Sequence, residues 1–294
     1  MSSRQQFVAT LEALLAADDR LFLILGDIGV FGFRNAFARH PGRVLNIGIL
    51  EQATVSFAAG LAAEGFIPVF HSIAPFVVER ALEQLKVDFC YQQLPIKLVS
   101  VGASFDYASL GCTHHCPEDV AVLLALPGMQ VVTPGNPREF DLLFRASYAN
   151  ASPTYYRLAE RSHSLPLPVE FGRATVVRQG KAATVVAVGP MLEPLLQAAE
   201  GFDLTILYYA TVAPFDRDTL AAMASGPVIC LEPFYQGTLA GEIAAALGAR
   251  TFRLVHHGVP REFLTKYGKI GEHEQACGLD AAGVRRCLQE ALRG

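Results

Sequence analysis

The sequence predicts an α/β protein built as two three-layer domains, each with a mainly parallel sheet. Short apolar runs alternate with helical patterns along the whole chain, and the runs are continuously apolar rather than alternating, as in strands covered on both faces. A proline-rich stretch, Ser164-Leu-Pro-Leu-Pro-Val-Glu170, interrupts the alternation once. Proline fixes φ and cannot continue a helix, so this stretch divides residues 1–165 from residues 171–294. A chain of 294 residues suits two cores better than one, because single cores stop growing near ~250 residues.

The N-terminal MSSRQQFVATLEALLAADDR has the spacing of an amphipathic helix. It lacks the basic head, unbroken apolar stretch and small-residue cleavage site of a signal peptide. Strands are then expected at Leu21–Leu25, Val44–Ile47, Ile67–His71, Ile96–Val101, Val131–Thr133 and Thr154–Arg157. Helices are expected between them near Val30–His40, Glu51–Glu64, Pro75–Tyr91, Pro117–Leu126 and Pro137–Ala149. Beyond the prolines, strands are predicted at Ala183–Val188, Leu204–Tyr208, Val228–Leu231 and Thr251–Leu254. Helices follow Pro190 and cover Asp216–Ala224, Leu239–Leu247, Arg261–Tyr267 and a closing Ala281–Leu292.

Net charge is only −4, with no long run of Lys or Arg, so nothing marks a nucleic-acid groove or an anionic membrane. The apolar runs fall far short of the ~20 residues a spanning helix needs. Six thinly spread cysteines, at 90, 112, 116, 230, 277 and 287, point to reduced thiols and a cytoplasmic protein.

Parallel sheets bind ligands beyond the carboxyl ends of their strands. The loops to inspect are therefore Gly26-Asp-Ile-Gly29, Gly48-Ile-Leu-Glu51, His71-Ser-Ile-Ala-Pro75 and Gly102–Cys116. Glu51 opens a helix of small and apolar residues, which is expected to be buried on most sides. Its charge is favoured by the positive end of the helix dipole; alternatively the carboxyl group is kept for protonation chemistry, which burial promotes.

Gly111-Cys-Thr-His-His-Cys-Pro-Glu-Asp119 holds two cysteines and two histidines, but ligands so close in sequence cannot readily converge on one tetrahedral zinc. The segment fits better as a loop delivering one imidazole, of His114 or His115, into a pocket, or as one whose histidines satisfy loop carbonyls. On the helix after Pro75, Phe76 falls off the stripe formed by Ala74, Val77, Val78, Ala81, Leu85 and Phe89. It is either the wall of a pocket or edge packing. Gly26-Asp-Ile-Gly29 lacks both the three-glycine dinucleotide pattern and the lysine of a phosphate loop.

Taken in order, these segments resemble the pyrimidine-binding and C-terminal domains of the transketolase family, which includes deoxyxylulose-phosphate synthase and the beta chain of the pyruvate dehydrogenase first component. Arg43-Val-Leu-Asn-Ile-Gly-Ile-Leu-Glu-Gln52 is similar to the segment carrying the cofactor-activating glutamate, which implies that role for Glu51. Gly111-Cys-Thr-His-His resembles the Gly-Pro-Thr-His-Gln motif, which puts His114 on the active-site histidine. The resemblance implies thiamine diphosphate as cofactor, with Glu51 hydrogen-bonded to its aminopyrimidine, Phe76 (or Phe70) stacked on that ring, and Ile49 beside it.

The implied reaction moves a two-carbon ketol unit from a ketose to an aldose, either of which could be phosphorylated. His71, His115, Asp27 and Arg157 are candidate substrate contacts, with Arg161 close by. The second histidine of ordinary transketolases is missing near Gly102. The Gly-Asp-Gly motif that binds diphosphate and a divalent metal in full-length members is not found here, so Mg2+ or Ca2+ is expected on a partner subunit, with no metal ligand from this chain. The expected assembly is a heterotetramer of two unlike pairs, in which this chain self-associates as a dimer. The alternatives are a beta chain of a 2-oxo acid dehydrogenase or decarboxylase, and a non-catalytic family member.

Overall fold

A computed structural model describes residues 1–293. The first half opens with α1 (Ser3–Ala17), capped by the Ser2 hydroxyl on the Gln5 amide and by Gln5 in return. It continues through β1 (Leu21–Leu25), α2 (Arg34–Arg39), β2 (Val44–Asn46), α3 (Glu51–Ala63), β3 (Ile67–Ile73), α4 (Ala74–Val78), α5 (Leu82–Gln84), β4 (Lys97–Val101), α6 (Asp119–Leu124), β5 (Gln130–Val132), α7 (Pro137–Ser147) and β6 (Thr154–Arg157). The second half contains β7 (Thr175–Arg178), β8 (Ala183–Val188), α8 (Leu192–Ala198), β9 (Leu204–Tyr209), β10 (Thr211–Ala213), α9 (Arg217–Met223), β11 (Val228–Tyr235), α10 (Ala240–Leu247), β12 (Leu254–Val259), α11 (Ile270–Cys277) and α12 (Ala281–Arg293).

The larger sheet runs β10-β5-β6-β4-β3-β1-β2 and the smaller β12-β11-β8-β9-β7. Every pairing is parallel except β10 with β5 and β7 with β9. Both edge exceptions are short, and β10 is a loan: it lies in the second half of the chain yet closes the sheet of the first.

Apolar strands bury both faces, as their composition requires. In the larger sheet Leu23, Leu25, Val69 and Val99 face α1 and α7, where Phe7, Leu11, Phe140 and Phe144 join them. Ile24, Phe70, Leu98 and Tyr155 face the opposite layer with Val55, Val77 and Leu123. Several polar groups inside this packing are paired. Lys97 is fully buried, with Nζ donating to the Asn150 carbonyl, Asn150 Oδ1 and the Ser152 carbonyl at 2.6–3.1 Å. At the junction of the halves Glu139 accepts from Tyr208 at 2.5 Å and from the Gly135 amide at 2.8 Å. A side chain at Gly135 would collide with the Tyr208 hydroxyl and the His163 ring.

Four expectations are corrected. The segment Pro75–Tyr91 is not one helix: it breaks after Val78, and Leu85–Tyr91 winds as a π-helix. The break turns Glu79 and Arg80 in succession toward separate partners, Cys116 and Glu51. The last strand of the smaller sheet starts at Leu254 instead of Thr251, and Arg261–Tyr267 is irregular, the helix coming later at α11. Finally, α3 is not buried on most sides. Ala53, Phe57, Gly60 and Ala63 line an open face, which only small and apolar residues occupy apart from Gln52, Ser56 and Glu64.

Candidate active site

The loops after β1, β2, β3 and β4 share the carboxyl edge of the larger sheet, and side chains that follow the last three of these strands meet there in a row. Glu51, the first residue of α3, is 2% exposed. Its Oε2 accepts from Arg80 at 3.0 Å, while Oε1 is buried without a partner. A buried carboxylate oxygen left unbonded costs free energy, so this atom calls for a donor.

The Arg80 guanidinium lies 3.9 Å from the centre of the Phe76 ring, a cation–π contact. Phe76, in the first turn of α4, meets His114 edge to face with ring centres 5.3 Å apart. The Thr113 hydroxyl is 2.9 Å from His114 Nδ1, and Tyr107 closes the row with its ring 6.1 Å from that of His114. Arg4, at the start of α1, donates to the Tyr107 hydroxyl at 2.7 Å.

The row combines a sealed carboxylate with one unpartnered acceptor, an aromatic wall, and an imidazole edge-on to that wall. It suits a flat heterocycle that stacks on an aromatic face and donates a hydrogen bond to a carboxylate. Sequence reasoning brought Glu51, Phe76 and His114 forward and missed Arg80, Tyr107 and Arg4. Arg80 reaches Glu51 only because the helix after Pro75 breaks, and Arg4 and Tyr107 meet across a separation of 103 residues.

Other candidates are placed elsewhere. Phe70 is fully buried in the core layer beneath Gly26, not at the rim. Ile49 is 64% exposed, on the surface that leads to the open face of α3. Asp27 adopts φ +64°, a left-handed conformation held by a reciprocal pair with Asn46: its amide donates to Asn46 Oδ1 at 2.9 Å and its carboxylate accepts from Asn46 Nδ2 at 3.1 Å.

His115 turns away from His114 and packs edge-on against His273 of α11, ring centres 5.2 Å apart. Arg157 is 2% exposed, with its guanidinium bound to Asp119 and Ser104 at 2.7 Å each; Arg161 pairs with Glu274. The two histidines and two cysteines of residues 112–116 do not converge. Among the described residues the one grouping of three potential ligand atoms is Glu79, Cys116 and Glu118, within 4.8 Å of one another. Burial and the neighbouring Glu118 carboxylate push the Glu79 carboxyl up to about 7. All six cysteines are free thiols.

His71 lies on the opposite face of the sheet. Its Nδ1 is 2.7 Å from the Val99 carbonyl, so Nδ1 carries the proton and donates, leaving Nε2 as a bare acceptor with no partner. Burial, reinforced by the positive charge of Arg4, holds this imidazole down to about 4. His71 borders a cavity of about 500 Å³ lined by Arg4, Arg34, Phe31 and Phe33, with Nε2 itself buried. That cavity shares Arg4 with the row beginning at Glu51.

No helix among the described residues is long and apolar enough to cross a membrane. A family profile described as transketolase, pyrimidine binding domain matches residues 1–164, and one described as transketolase, C-terminal domain matches residues 172–284. A 33.6 kDa protein of the fasciation locus of Rhodococcoides fascians is 36% identical, covering 97% of this chain and 93% of its own. A 6-deoxy-6-sulfo-D-fructose transketolase subunit from a Clostridium species is 31% identical over 98% of this chain and 93% of its own. Among solved structures, a split gene transketolase described as an inactive beta4 tetramer superposes with a TM-score of 0.87 at 27% identity, covering 100% of this chain and 98% of that one.

Proposed function

This chain belongs to the transketolase family, and we propose that it is the subunit of a two-component transketolase that supplies the pyrimidine-side half of a thiamine-diphosphate site. The observation that carries the reading is Glu51: a carboxylate sealed from water, one oxygen without a partner and the other bonded to Arg80, which lies over the Phe76 ring that in turn meets His114. Residues 1–165 form the pyrimidine-binding unit in this proposal and residues 171–294 the C-terminal one.

These residues fit the cofactor's aminopyrimidine, since the orphaned Oε1 needs a donor and Phe76 offers a flat face at the rim. When bound, thiamine diphosphate supplies the electron sink for moving a two-carbon ketol unit from a ketose to an aldose. Glu51 would hold the aminopyrimidine through a hydrogen bond at Oε1 and so favour one tautomer of it. Phe76 would orient the ring, and His114, 2.9 Å from the Thr113 hydroxyl, would handle protons at the substrate oxygens.

We place the diphosphate and Mg2+ or Ca2+ with an N-terminal transketolase-type partner. Support comes from the relatives: one is named as a transketolase subunit, and the split gene transketolase structure of this chain type is described as inactive. The exposed Ile49, Leu50 and Phe57, continuous with the open face of α3, support self-association of this chain within a heterotetramer. The cavity bordered by Arg4 and Arg34 supports a sugar with an anionic end. One relative is itself named for a sulfo sugar.

Calorimetric titration of thiamine diphosphate with magnesium tests the proposal, first into the chain alone and then into its mixture with a partner bearing a Gly-Asp-Gly motif. Tight binding in the mixture alone is the expected result. Tight binding to the chain alone would overturn the division of the site.

A further inference from the structure

We propose that Arg80 is a movable stand-in for the cofactor's aminopyrimidine, holding the pyrimidine side of the site closed until the ring displaces it. The inference rests on the reading of Glu51 and Phe76 given above. The Arg80 guanidinium, a flat cation, makes both contacts that an aminopyrimidine ring needs from this chain: it donates to the Glu51 carboxylate at 3.0 Å and lies over the Phe76 ring at 3.9 Å. A ring stacked on that face and bonded to that carboxylate competes with it for the same surface.

The two groups of the ion pair differ in their freedom. Glu51 is anchored in the first turn of α3 and 2% exposed, while Arg80 is 43% exposed and springs from the break between α4 and α5. The mobile partner is therefore the arginine. It leaves the Phe76 face for water, where a guanidinium is well solvated, whereas Glu51 cannot follow it and stays with Oε1 open to the ring's donor.

The same arrangement explains why Arg80 sits at an interruption in the helix. Continuous helix through Glu79 and Arg80 would fix the side chain by packing against the preceding turn. At the break, the Arg80 amide instead bonds back to the Pro75 carbonyl at 3.2 Å, a wide turn that leaves the side chain outside the helix stack. With Arg80 in place, Glu51 is not left bare, which would expose the chain to the cost of an unpaired buried carboxylate before a partner subunit arrives. The arginine protects the carboxylate and at the same time raises the threshold for ring binding.

The test compares wild-type chain with Arg80→Met, which keeps an aliphatic stem over Phe76 and removes the planar cation, and with Arg80→Lys. Binding of thiamine diphosphate with magnesium is measured calorimetrically in the presence of the partner subunit, and the melting temperature of each ligand-free chain is measured separately. In Arg80→Met the affinity should rise about tenfold, the factor that a partly exposed charge-assisted hydrogen bond carries. The ligand-free melting temperature should fall at the same time, because Glu51 loses its partner. Arg80→Lys, which keeps the charge without the plane, should lie between.

A residue that merely stabilised the fold would not tighten ligand binding when removed. Equal or weaker binding by Arg80→Met, with wild type binding normally, overturns the proposal and makes Arg80 part of the ring's cradle. Absence of binding by wild type and variants alike overturns the thiamine-site reading itself, and this inference with it.

Discussion

The Arg157 guanidinium and the Asp119 carboxylate meet at 2.7 Å with both side chains sealed from water, Arg157 at 2% and Asp119 at 0% exposure. The contact joins the end of β6 to the first turn of α6. Tyr155 also donates to Asp119, at 2.8 Å, and Ser104, on the segment that bridges to Cys116, takes the other arm of the arginine at 2.7 Å. Breaking such a pair strands a buried charge. Asp119→Ala should therefore destabilise the chain by roughly 3–5 kcal/mol, measured as a lower urea midpoint at unchanged slope. A loss below about 1 kcal/mol would show that the pair is not held as described.

Glu51→Gln separates chemistry from folding. The carboxylate's one partner, Arg80, is 43% exposed and can turn to solvent, so the stability change should stay within about 1 kcal/mol. Activity of the mixed two-subunit enzyme should drop by roughly 10²–10⁴-fold, the range of a lost acid–base group. Steady-state turnover of a ketose plus an aldose gives the number, and near-wild-type turnover would remove Glu51 from the mechanism.

Substrate charge should be read at Arg4. Its guanidinium borders both the cavity beside His71 and the row that ends at Tyr107. Arg4→Ala is expected to raise KM for phosphorylated sugars by about tenfold or more while changing KM for unphosphorylated ones little, since an arginine–phosphate contact is charge-assisted. Equal effects on both substrate classes would place the anion elsewhere.

His71 makes a prediction about acid. Burial holds its imidazole neutral down to about 4, whereas in the unfolded chain it takes a proton near 6.5. Between these values the unfolded state binds more protons, so stability is full above pH 6.5 and declines as pH falls toward 4. The decline attributable to this residue is roughly 3 kcal/mol at most. Urea denaturation across that window should show a shallower slope with pH in His71→Gln than in wild type. Parallel curves would mean that the imidazole is protonated in the folded chain.

Much of this architecture was legible in the sequence because its parallel strands are fully buried. Leu21–Leu25 and Ala183–Val188 are seen with the bounds expected from their apolar runs alone. Glu51 stood out because a carboxylate opening a helix of small residues needs a physical account. What escaped the sequence depends on distant contacts. Thr211–Ala213 carries no strand signal of its own and is a strand only because the β5 edge receives it.

The helix break at Glu79–Ala81 escaped for a related reason. The apolar periodicity of Ala74, Val77, Val78, Ala81, Leu85 and Phe89 survives it, and all six are fully buried whether the helix is continuous or not. Periodicity therefore reported the buried face correctly and the backbone path incorrectly. The family resemblance makes Arg157 a candidate substrate contact, but its partner Asp119 lies 38 residues away in sequence. No local pattern announces such a pairing.

The short strand β10 has one more implication. Because Thr211–Ala213 completes the sheet of the first half, severing the chain in the proline-rich stretch would not yield two self-sufficient pieces. The N-terminal fragment would carry β5 as a raw margin of unpaired amides and carbonyls, an invitation to intermolecular strand addition and aggregation. The seam between the halves is thus sewn by the backbone itself.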